Sequence, residues 1–144
     1  MENNMAYNKE KQKLADIKYH SSHPERRHEI FRKFYETTAG RATFLLNGTR
    51  TTCKKKHLPS NLTKEWILER LERGVCEVTG LPFDLSKTGT RQNPFAPSLD
   101  RKNPHAGYTT DNVQVVVWIY NAAKQNFTHD DVLRLSAALL EKSK

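Results

Sequence analysis

The spacing of apolar positions changes character along this chain. Up to about residue 40 they are sparse and helical in period. Leu14 and Ile17 sit among Lys and Glu, and Ile30, Phe31, Phe34 and Tyr35 recur at i, i+1, i+4 and i+5. Pro24, following Ser21, Ser22 and His23, suits the first turn of a second helix, and Gly40 is expected to end it. Residues 41–56 predict a third helix interrupted at Gly48. A fourth follows, with Thr63 as N-cap, Glu65 in its first turn and Gly74 at its end. Trp66, Ile67, Arg70 and Leu71 would face the core.

Beyond Gly74 the period shortens. Cys76–Phe83 predicts a turn and short strand, and residues 84–97 a polar loop. Two short apolar runs come next, one ending at Asp100 and one covering Val113–Val117, with Pro, Gly and Asn between them. The segment from Trp118 is amphipathic. That order is strand, loop, strand, helix. Thr128, with Asp130 and Asp131 close behind, opens a last helix whose Val132, Leu135, Leu139 and Leu140 are expected to pack on the core. The fold class is therefore α+β and mostly helical, a small hairpin-plus-helix core with an N-terminal helical extension. We expect the boundary between arm and core at 75/76.

Charge sharpens that division. The 144 residues carry a formal net charge of +8. Residues 1–75 hold 16 Lys/Arg against 9 Asp/Glu, while residues 76–144 hold 8 against 7. A positive excess confined to one half points to a polyanionic partner, and nucleic acid fits best. Arg50, Lys54, Lys55 and Lys56 gather near the end of the third helix, and Lys87 and Arg91 lie in the polar loop. These are candidate phosphate contacts, which supply salt-dependent affinity without reading bases. No apolar run is long enough to span a bilayer and no cleavable signal segment is evident, so a cytoplasmic protein of a bacterial or phage-infected cell is expected. Phe31, Phe34 and Tyr35 offer a homodimer contact.

The candidate chemistry lies at the hairpin. A carboxylate from Asp100 and an amide oxygen from Asn121 could meet on one divalent cation, since magnesium takes hard oxygen ligands with water completing the shell. Lys124, nearly one helical turn from Asn121, would point toward the same phosphate. Each residue alone has a plainer reading: Asp and Asn near turns more often cap backbone, and Asp100 could simply pair with Arg101.

The stretch SLDRKNPHAGYTTDNVQVVVWIYNAAK, Ser98 to Lys124, resembles the ββα-metal core of the HNH endonuclease superfamily. The resemblance covers roughly residues 76–124. It sets Asp100-Arg101 against the family's Asp-His pair, Asn112 against the middle Asn that pins the loop, and Asn121 against the terminal metal ligand. It implies a metal-dependent endonuclease acting on DNA with one Mg2+ or Mn2+ held by Asp100 and Asn121, while Arg101 and Lys124 steady phosphate oxygens.

The chain departs from that pattern in two places. Arg101 stands where the family carries its general-base histidine, and a guanidinium has no lone pair with which to take a proton. His105, in the same loop, is the candidate substitute. The alternatives are a metal-activated water working without a base, or a catalytically inactive DNA-binding protein on the same fold. Many relatives also brace this core with zinc on two Cys-x-x-Cys pairs. Here only Cys76 of the four positions is a thiol, so no structural zinc is expected, and Cys76, Val117 and Tyr120 should form an apolar cluster instead.

Overall fold

The computed structural model describes residues 2–86 and 92–144. The element order is α1 (Glu2–Ser22), α2 (Pro24–Tyr35), α3 (Thr38–Lys56), α4 (Lys64–Glu72), β1 (Pro97–Arg101), β2 (Val113–Val117), α5 (Trp118–Lys124) and α6 (His129–Lys142). Two compact units result, Met1–Phe34 and Tyr35–Lys144. The division thus falls earlier than the 75/76 boundary expected, because α3 and α4 bury their apolar stripes against the hairpin.

In the first unit, α1 and α2 break at His23, where the Ser22 hydroxyl turns back onto the carbonyls of Lys18 and Tyr19. Ile17, Ile30 and Phe31 line a groove between the two helices. The aromatic face of α2 is not core: Ile30, Phe31 and Phe34 remain well exposed. Tyr35 differs, being half-buried and meeting Phe44 edge-on with centroids 5.5 Å apart.

The second unit is built on α3. Thr37 caps it, its hydroxyl accepting from the Gly40 amide at 3.0 Å. Gly40 therefore lies in the first turn of α3 and does not end α2. The helix also runs unbroken through Gly48. Burial of Ala42, Leu46, Thr49 and Cys53 along one face outweighs the roughly 1 kcal/mol penalty of a helical glycine. His57 closes it in the left-handed region with φ 54°. Thr63 caps α4 as expected, accepting from the Trp66 amide at 3.2 Å. Of the residues meant to face inward, Ile67 and Leu71 are buried. Arg70 instead lies over the Trp66 ring, 3.6 Å from its centroid.

β1 and β2 pair antiparallel with Pro97 opposite Val117 and Arg101 opposite Val113. Along β2 the side chains divide between two clusters, alternating until the strand ends at Val117. Val113 and Val115 join Ala42, Leu46, Leu62, Ile67, Leu71 and Leu99 in the main core. Val116 joins Val117, Cys76 and Tyr120 in a second cluster, which is the apolar filling expected of those positions. The outer edge of β2 is covered by Glu77, whose amide donates to the Val115 carbonyl at 3.0 Å while its carboxylate accepts from the Val115 amide. Cys76–Phe83 is a turn with a single bridge, Val75 to Pro82, in place of a strand.

The last helix forms with the expected capping box between Thr128 and Asp131. Its leucines, however, do not reach a core. Leu135, Leu139 and Leu140 are exposed, and only Val132 packs against the second cluster. The neighbour α5 is seven residues long and offers little surface to cover them. Periodicity identifies an amphipathic helix; it does not identify what lies against it.

Candidate functional site

The site grows from the hairpin register. Asp100 stands opposite Gln114 across the two strands, and the Gln114 amide donates to Asp100 Oδ2 at 2.8 Å. The chain then turns directly from β2 into α5. The first two amides of that helix, Trp118 and Ile119, donate to the carbonyls of Ala96 and Pro94 at 2.8 and 2.9 Å. Helix and strand are thereby locked, and Asn121 lands against β1. Its Nδ2 donates to the Leu99 carbonyl at 3.1 Å and to Ser98 Oγ at 2.7 Å. A backbone carbonyl can only accept, so the amide orientation is fixed and Oδ1 is the oxygen left to bind something else.

Lys124, one turn further along α5 and expected beside the phosphate, turns into the protein. It is 1% exposed, with Nζ 3.1 Å from Asp100 Oδ1 and 2.9 Å from the Arg101 carbonyl. Asp100 is equally enclosed at 2% exposure, and both of its oxygens have partners. Such a pair is stable only because carbonyl and amide groups complete the hydrogen bonding of both ions.

Arg101 turns the other way. Its guanidinium donates to the Ala106 carbonyl at 2.9 Å and stacks over Tyr108, 4.9 Å from the ring centroid. It remains partly exposed, and so fastens the hairpin loop while presenting charge at the surface. Asn112 pins the same loop from inside. Its Oδ1 accepts from the Asn103 amide at 2.9 Å, and its Nδ2 donates to the carbonyls of Asn103 and Gly107 at 3.1 and 2.8 Å. His105 is exposed on this loop, its backbone amide held by Asn103 Oδ1.

Sequence reading missed the polar contacts of Gln114 and Tyr120. Burial raises the Tyr120 phenol above its ordinary value, the Asp100 charge adds to this, and the Gln114 side chain opposes it. The protonated phenol lies 3.0 Å from His129 Nδ1. Gln114 thus holds the carboxylate from across the hairpin, while the Tyr120 phenol meets the exposed His129 imidazole. Only the cross-strand position of Gln114 is readable from sequence, since it follows from where the hairpin turns. Asn93 was missed as well: it is buried and ties the carbonyls of Asp84 and Ser86 to the approach of β1.

The basic residues divide. Arg50, Lys54, Lys55 and Lys56 are exposed on the second half of α3. The segment after them docks on the hairpin loop, with Tyr108 and Pro59 paired at 2.9 Å and the Thr110 amide donating to Asn61 Oδ1 at 2.9 Å. Gly107 is required there, because a Cβ would collide with the Pro59 carbonyl and lie 2.6 Å from Pro59 Cγ. The lysine run and the loop carrying Arg101 and His105 are thus tied together within one unit. Lys87 and Arg91 fall outside the described residues.

For a hard cation the donor types fit: one carboxylate from Asp100 and one amide oxygen from Asn121. Among the described residues no three His, Cys, Asp or Glu side chains are placed to hold a metal ion together, so neutral oxygens and water would complete any shell. The condition is that Lys124 releases Asp100 Oδ1.

No family profile matches the chain. A segment of 88 residues, 61% of the chain, is 28% identical to an uncharacterised 29.0 kDa protein from the dda-modA intergenic region of Enterobacteria phage T4. The chain spans only 34% of that relative's length. Among solved structures it resembles the rare-cutting HNH restriction endonuclease PacI, with a TM-score of 0.50 and 21% identity over 70% of this chain and 78% of that one. At that identity the likeness shows the fold alone: a small, mostly helical α+β fold of HNH type with a two-stranded antiparallel hairpin. Among the described residues no helix is long and apolar enough to cross a membrane.

Proposed function

We propose that this chain is an HNH-like endonuclease that hydrolyses phosphodiester bonds of DNA. The observation that carries the reading is the bond from Asn121 Nδ2 to the Leu99 carbonyl, 3.1 Å, which sets the helix amide beside the strand that bears Asp100. A carboxylate and an amide oxygen so arranged, on a fold shared with a restriction endonuclease, suit phosphoryl chemistry. Asp100 and Asn121 would hold one divalent cation, Mg2+ or Mn2+, which when bound supplies positive charge to the scissile phosphate and its leaving oxygen.

The chain's own groups do the rest. Arg101, fixed by Ala106 and Tyr108, offers its outer edge to a non-bridging oxygen. His105, exposed on the pinned loop, takes the proton from the attacking water. Arg50, Lys54, Lys55 and Lys56 hold the backbone of the duplex without reading sequence. A bacterial or phage-infected cytoplasm is the setting we infer, supported by the likeness to a phage T4 protein.

A specific observation favours a second reading. Asp100 is already neutralised by Lys124, and the residue beside it is an arginine, so the same face could grip DNA without cutting it. Strand breakage separates the two. The first reading expects divalent-dependent cleavage that His105→Ala slows by about a hundredfold, the usual worth of a general base. The second expects a salt-sensitive mobility shift with DNA intact throughout.

A further inference from the structure

The Lys124 ammonium sits in a nest of oxygens. One carboxylate oxygen, Asp100 Oδ1, lies at 3.1 Å and one carbonyl oxygen, Arg101 O, at 2.9 Å. These are the donor types a hard divalent cation takes. Asn121, three residues earlier on α5, points its amide nitrogen to Leu99 and Ser98 and keeps its oxygen for another ligand. Both charged side chains are 2% exposed, so solvent does not screen one positive charge from another there.

We propose that Lys124 is the resident cation of this site, and that a divalent cation binds Asp100 only by displacing it. Two cations cannot share one buried carboxylate whose other oxygen is committed to Gln114 at 2.8 Å. Lys124 lies in the last turn of its helix, and the following residue, Gln125, has a positive φ of 44°. Lys124 keeps the core folded and the carboxylate oriented while no divalent ion is present, and it sets the concentration at which that ion enters. This rests on the nuclease reading only for the identity of the ion; the competition itself is a binding property.

The test is titration of the full chain with Mn2+ by calorimetry. Lys124→Gln keeps a polar side chain and removes the charge, and should bind Mn2+ about tenfold or more tightly than the unsubstituted protein, the usual range for two coupled ligands. Asp100→Asn should lose the site. Equal or weaker binding by Lys124→Gln overturns the proposal. A crystal structure of the unsubstituted chain grown with Mn2+ decides it even if that variant fails to fold. The expected result is Mn2+ on Asp100 with Lys124 Nζ withdrawn from Oδ1. Mn2+ on Asp100 with the ion pair intact, or no Mn2+ there at saturation, overturns it. The two readings fail separately. Plasmid nicking with equal Mn2+ affinities removes this inference alone, and tighter binding by Lys124→Gln without nicking removes the nuclease alone.

Discussion

Lys124 and Asp100 form an ion pair at 3.1 Å between two side chains that are each 2% exposed. The residue that sequence marks as the centre of chemistry thus carries its own counter-ion.

This pair should dominate the stability of the hairpin-helix unit. Replacing Lys124 by Met strands a buried carboxylate and should cost about 3–5 kcal/mol. Replacing both residues, Lys124→Met with Asp100→Leu, should recover most of that loss. Urea denaturation of the single and double variants measures the difference, and similar losses in both would mean that packing, not charge, decides.

Asn112 is the second structural anchor. It makes three hydrogen bonds inside the 103–111 loop. Asn112→Ala should cost about 1 kcal/mol, since only the Gly107 carbonyl bond is part-buried and water can satisfy the other groups. Limited proteolysis should then cut first within that loop.

Much of the fold is legible in the chain. Val113–Val117, the entry of α5 at Trp118, and the caps at Thr63 and Thr128 follow from local rules, and the structure places them as expected. What failed depended on tertiary context. Gly40 and Gly48 read as breaks because propensity is local, while burial along α3 is not. Leu139 and Leu140 read as core because their spacing is helical, yet they stand exposed. The Lys124–Asp100 ion pair was not legible, because nothing in the spacing of Lys124 shows that Asp100 lies directly across from it.

The exposed face of α6 and the buried face of α4 should respond differently to truncation. Ile67→Ala should lose about 2–5 kcal/mol, as for other fully buried aliphatic side chains. Leu140→Ala, at an exposed position, should change stability by about 0.5 kcal/mol or less. Thermal melts of the two variants make the comparison.

Acid should loosen α6 through its cap. The Asp131 carboxyl is held below its ordinary 3.8, chiefly by hydrogen bonding from the Thr128 side chain and then from its amide. A depressed value in the folded state means that the cap contributes fully above pH 3.8 and is lost as pH falls through the lower, folded value. Thr128→Ala keeps the backbone amide bond to Asp131 but removes the hydroxyl, and should weaken that dependence, leaving α6 amide exchange faster at neutral pH and flatter in acid.

The lysine run supplies a prediction about DNA affinity. Replacing Lys54, Lys55 and Lys56 by Ala should reduce the slope of log K against log salt by about 2.7, since each phosphate no longer neutralised removes about 0.9. Fluorescence anisotropy on a duplex across several salt concentrations reads this directly. An unchanged slope would remove α3 from the interface.

The decisive experiment is relaxation of supercoiled plasmid. The full chain is incubated with Mg2+ or Mn2+, beside EDTA and an Asp100→Asn control whose fold is checked by circular dichroism. Asparagine preserves the size of the side chain, so the control removes the carboxylate charge without opening a cavity. We expect nicked circles with either cation and none in EDTA or with Asp100→Asn. Plasmid that stays supercoiled with both cations, while still shifting on a gel, would contradict the nuclease and leave a DNA-binding protein on an HNH-type fold.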